Sequence, residues 1–116
     1  MLRSTIISKT LVLALAVAGA GMARADDVPN LNVDPVCRGI ADQALTPGER
    51  GGPALAFSQC VQSEQAVRQK LVGEWSSFMP ADKVNCVNSE QSALPSYTGL
   101  VTCLEMARDV RKMNAR

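Results

Sequence analysis

Residues 53–79 read PALAFSQCVQSEQAVRQKLVGEWSSFM. Phe57, Cys60, Val61, Val67, Leu71, Trp75 and Phe78 recur along this stretch at spacings that place them on one face of an α-helix. Pro53 suits a first helical turn, where a missing N–H costs nothing, and Pro80 forces a stop or a turn. Glu64 falls on the same apolar stripe and interrupts it. The stretch predicts the longest helix of the chain, with a face that other elements must cover.

Those other elements also read as helices. Upstream, NVDPVCRGIADQAL (residues 32–45) predicts a helix capped by Asp34, with Pro35 at its first position. Val36, Cys37, Ile40, Ala41 and Ala44 form its expected apolar side, and TPGERGGP (residues 46–53) is a loop. Downstream, PADKVNCVNSE (residues 80–90) predicts a short third helix carrying Val84, Cys86 and Val87. Asp82 stands in its first turn, where a negative charge suits the helix dipole. SALPS (residues 92–96) breaks it, and Ser96 is the expected cap of a fourth helix. In that helix Tyr97, Leu100, Val101, Cys103, Leu104, Ala107 and Val110 are expected to face inward. Alternating apolar runs and Asn-Gly turns are absent, so strands have little support.

The first 25 residues read differently. Arg3 and Lys9 precede an apolar run from Thr10 to Gly21, and Ala23 and Ala25 occupy the small-residue positions of a cleavage site. This is the pattern of a secretory signal, cleaved after Ala25, and the run is too short for a membrane span of roughly 20 residues. Cleavage would remove Arg3, Lys9 and Arg24, changing 12 basic residues against 11 acidic ones into 9 against 11, a net charge of −2. Such a chain lacks the basic footprint of a nucleic-acid binder and the cluster that holds a protein on anionic lipid. Residues 26–33 are expected as a flexible lead-in and 34–116 as a single helical domain.

A chain this small, with only four aromatic residues after the signal, predicts a thin core that needs covalent support. Export to an oxidising compartment makes disulfides the natural support. In an antiparallel helical hairpin, residues on one level are equidistant from the middle of the loop. Cys37 lies twelve residues before Glu49, at the centre of the first loop, and Cys60 eleven after it. Cys86 lies seven before Ala93, and Cys103 ten after it. A Cys60–Cys86 bond across a turn at Met79–Pro80 would be out of level by thirteen residues, an axial offset of about 10 Å. The bridge geometry tolerates Cα separations of less than about 7 Å. The expected pairs are therefore Cys37–Cys60 and Cys86–Cys103. For Cys37–Cys103 with Cys60–Cys86, levels alone leave the first bond open. The expected fold is an all-α, disulfide-stapled bundle of four helices built from two helical hairpins.

Chemistry-bearing patterns are sparse. The cysteines have 22, 25 and 16 residues between them, without a C-x-x-C pair, and the chain has no His. That argues against a zinc site and against a redox-active thiol. Neither a G-x-S-x-G elbow nor a His base is present. Glu64, Glu74, Asp82, Glu90 and Glu105 read as solvated carboxylates rather than catalytic pairs, and the shared helix face of Met106 and Met113 as packing or chance rather than a copper site. No cofactor is expected. Glu64, Trp75 and Phe78 are the candidate interaction residues. Glu64 reads as a stripe-edge carboxylate reaching water, with burial against Arg108 or Arg111 as the alternative. Trp75 and Phe78 read as core plugs, with exposed anchors for a partner as the alternative.

The run PSYTGLVTCLEMARDVRK (residues 95–112), with its upstream cysteine, Trp75, Phe78, Asp82 and Cys86, resembles small secreted four-cysteine helical proteins of alphaproteobacteria related to the rhizobia. The resemblance spans most of the processed chain and implies a shared scaffold without an assigned activity. QCVQSEQAVRQKLVGEW (residues 59–75) looks locally like the segment after the second cysteine of small periplasmic acid-stress chaperones, which carry one disulfide across a longer loop. The expectation is a non-enzymatic periplasmic or secreted protein that binds a protein partner, without nucleic acid and without membrane insertion after signal cleavage. The alternatives are an acid-activated holdase and an inhibitor of an envelope hydrolase.

Overall fold

A computed structural model describes residues 27–44 and 51–116. The expected signal and most of the first loop lie outside the described residues. The elements are α1 (Asp34–Gln43), α2 (Gly52–Glu74), a 3-10 turn (Trp75–Ser77), α3 (Pro80–Gln91) and α4 (Tyr97–Asn114). Among the described residues there is no strand, so the fold is all-α, and none of the helices is long and apolar enough to cross a membrane.

The helix limits follow from local chemistry. Val33, not Asp34, is the residue flanking α1, and Asn32 Oδ1 accepts a hydrogen bond from the Asp34 N–H at 3.2 Å. Gly51 adopts φ 95°, a left-handed conformation open to glycine, and starts α2 one residue before Pro53 was expected to. The α-helical part of α2 ends at Glu74, and the 3-10 turn then tightens the chain before the extended residues Phe78 and Met79. Ser96 caps α4 as expected, its Oγ accepting from the Gly99 N–H at 2.9 Å.

Packing runs in one sequence: α1 on α2, α2 on α4, and α4 on α3. The molecule is thus two antiparallel hairpins joined along α2 and α4. Disulfides close each hairpin on itself: Cys37–Cys60 with Cα atoms 5.4 Å apart and Cys86–Cys103 at 5.7 Å. The short helix α3 meets α4 through one row of residues at i, i+4 and i+8. Asp82 pairs with Arg111, Cys86 with Cys103, and Glu90 Oε2 accepts from the Ser96 N–H. The row descends α3 as its partners ascend α4.

Leu71, Leu100 and Leu104 fill the centre, together with Trp75, Phe78, Tyr97, Cys37 and Cys86. Burying each of these leucines contributes roughly 2–3 kcal/mol. The segment 27–33, expected to be loose, is docked: Leu31 and Val33 are buried in the same cluster. Three residues expected to face inward or to form an apolar side do not. Ile40, Val84 and Val110 are about half exposed or more, because the outer faces of α1, α3 and the end of α4 have no helix over them.

Candidate ligand groove and the seam between hairpins

The hairpins meet at a seam without a covalent bond, and Glu64 is its polar centre. Its carboxylate is buried and crosses from α2 to the N-terminus of α4. Oε2 accepts from the backbone N–H groups of Tyr97 (2.5 Å) and Thr98 (3.3 Å), and Oε1 from the Thr98 hydroxyl (2.5 Å). A helix start leaves its first N–H groups without intrahelical partners and carries a partial positive charge. Here Glu64 takes the Tyr97 and Thr98 amides, and Ser96 takes those of Gly99 and Leu100. This corrects both expectations for Glu64: its carboxylate neither serves as a water-facing edge nor pairs with Arg108 or Arg111.

The two arginines have other partners. Arg111 grips Asp82 through two hydrogen bonds of 2.7 Å. These bonds hold the Asp82 carboxyl below its ordinary range and raise Arg111 above its own. The Arg108 guanidinium lies 4.8 Å from the centre of the Phe78 ring. Tyr97, fully buried, completes the seam. Its hydroxyl accepts from the Leu31 N–H (2.9 Å) and donates to the Pro29 carbonyl (3.0 Å), fixing the lead-in against α4.

Trp75 and Phe78 are 6% and 4% exposed, so they act as core residues rather than as projecting anchors. Trp75 nevertheless forms one wall of a groove of about 280 Å³. The lead-in contributes Pro29 to it and α3 contributes Lys83, Val84, Val87 and Asn88, with Asp27 at the rim. The Lys83 ammonium sits 5.1 Å from the centre of the Trp75 ring. The indole Nε1–H is buried and has no hydrogen-bond partner among the described residues. On the other side of Trp75 a second groove is lined by Val28, Arg68, Gln69 and Val72, again with Asp27 at its edge.

The apolar stripe of α2 marks Trp75 and the spacing on α3 marks Val84 and Val87, but no apolar pattern pairs the two or includes Lys83 and Asn88. Their signal lies in the spacing: Lys83, Val84, Val87 and Asn88 recur at helical spacing on a stripe of α3 that borders the Asp82–Cys86–Glu90 row at Lys83 and turns away from it towards Asn88. What the sequence did not show is that the lead-in would form the opposite wall. Among the described residues no group of His, Cys, Asp and Glu is arranged to hold a metal ion.

Fold and site together define a small disulfide-stapled helical protein with a shallow apolar groove edged by charge. The two disulfides point to an oxidising, extracytoplasmic compartment. Compared with known protein families, curated proteins and solved structures, the chain matches none.

Proposed function

We propose that this is a non-enzymatic binding protein of the periplasm or the extracellular space, delivered there by a cleaved signal. The observation that carries the reading is the Trp75 groove: apolar walls from three segments, with a cation and an amide at its edge. Small-ligand and anchor sites have this composition, and its volume lies near the lower end of their usual range of about 300–1,000 Å³.

The test uses Val84, which lines the groove and is 58% exposed, so that substitution leaves the core intact. Oxidised, processed protein isolated from its own compartment should carry a stoichiometric companion in native mass spectrometry or crosslinking, and V84E should lose it. Isolation without any companion, or one that V84E retains equally well, overturns the groove as the binding site.

A second reading, an acid-activated holdase, is favoured by Glu64. Its carboxylate on the α4 amides ties together two hairpins that no covalent bond joins, so this seam is where the molecule would open. Separation of the hairpins would expose Leu71, Leu100 and Leu104. Dye binding and protection of an aggregating client, followed from neutral pH to about pH 2–3, separate the readings, since a holdase opens and protects only in acid.

A further inference from the structure

We infer that the Trp75 groove takes a small carboxylate with an apolar body, held through Lys83. The inference rests on the binding reading above and names its ligand chemistry. Lys83 is only 8% exposed, yet it forms no ion pair among the described residues; the one there is joins Arg111 to Asp82. The Lys83 hydrocarbon stem is buried, while the ammonium is not among the buried unpartnered atoms of the described residues, so the head group reaches the open side of the groove where a ligand can meet it. Among the described residues the ammonium lies against the face of Trp75, which supplies a partial counter-charge.

The surroundings of that cation are complementary to an amphiphilic anion. Pro29, Trp75, Val84 and Val87 offer an apolar wall along which a short hydrocarbon or aromatic body can lie. Asn88, one turn beyond Val84 on the same face of α3, adds an amide that can donate to a carboxylate oxygen. Beyond Trp75, Arg68 edges the second groove and also forms no ion pair among the described residues. Among the described residues, two cations flank the indole and one acidic residue, the exposed Asp27, lines both grooves. The positive balance favours an anion, and Asp27 at the rim opposes it. These two side chains line the same groove and should act on the ligand with opposite sign.

Trp75 is the only tryptophan of the chain, so its emission reports the groove directly. The oxidised, processed protein is titrated with octanoate, and in parallel with octanol and octylamine. Octanoate should produce a saturable change in emission that octanol and octylamine do not reproduce at the same concentrations. K83M should weaken octanoate about tenfold or more, K83R should restore much of the loss, and D27N should tighten binding by about two- to fivefold. Urea midpoints measured alongside establish that each variant is folded. Equal responses to octanoate and octanol, or unchanged affinity in folded K83M, overturn the carboxylate assignment. So does the absence of a saturable octanoate response. If octanoate fails while the V84E-sensitive companion persists, the ligand class is wrong and the binding reading stands. If both fail, the binding reading falls as well.

Discussion

Inside each hairpin the helices are clasped by sulfur, whereas between the hairpins they are held by a carboxylate, a tyrosine hydroxyl and leucine packing. The two kinds of seam respond to different conditions. A disulfide acts largely by restricting the unfolded chain, whereas the carboxylate satisfies helix amides in the folded state. Reduction therefore acts within each half, and the junction between the halves rests on non-covalent contacts alone.

Removing the sulfur clasps should have the largest effect. Each closes a loop of comparable length, with sequence separations of 23 and 17, and each should contribute roughly 3 kcal/mol. Urea unfolding of C37A/C60A and of C86A/C103A should thus show similar losses. A large inequality would mean that one hairpin carries the fold. E64A comes next, at about 2–3 kcal/mol, because it leaves the buried Tyr97 amide and the part-buried Thr98 amide without their acceptor. E64Q should lose less, and both variants should leave the disulfides formed. If E64A costs no more than a surface substitution, the junction is held by packing alone.

Y97F should cost about 1–2 kcal/mol, since it removes the acceptor of the buried Leu31 N–H. Faster hydrogen exchange at Leu31, without change at Leu104, would confirm that the lead-in is released locally. Asp82 sharpens the comparison through pH. Its folded pKa lies below the ordinary value of 3.8, so its contribution is fully present above that value. The contribution is lost as pH falls through the lowered folded value. Acid unfolding of D82N should therefore begin from a lower plateau and fall less steeply than wild type below about pH 4. The smallest effect belongs to Gly99, where an added Cβ would meet the Glu90 carboxylate at 2.5 Å. That group ends a flexible side chain and can move, and alanine favours the helix, so G99A should shift stability by less than about 1 kcal/mol.

Much of this architecture was legible because it is local. Apolar spacing gave the four helices, and equal distances from a loop gave Cys37–Cys60 and Cys86–Cys103. The Ser96 cap declared itself by lying between Pro95 and an apolar run. Glu64 was visible only as an interruption of a stripe, because its partners lie 33 and 34 residues away and are backbone amides, which no side-chain pattern announces. The docking of residues 27–33 was hidden for a similar reason: a polar stretch with Pro29 reads as loose until the Tyr97 hydroxyl, 66 residues from Leu31, is placed beside it. Val110 and Ile40 show the converse limit, since periodicity finds an apolar face but not whether another helix reaches far enough to cover it.

The α2–α3 connection has a topological consequence. Beyond the 3-10 turn the two halves are joined by two extended residues, Phe78 and Met79, and no sulfur crosses between them. The halves part only when the Glu64 contact, the Tyr97 bonds and the shared leucine packing all give way, and each then keeps its own disulfide. It can then dock again on its own chain or on the matching half of a neighbour. Two molecules could trade halves without breaking a covalent bond, so protein concentration would decide between self-closure and exchange.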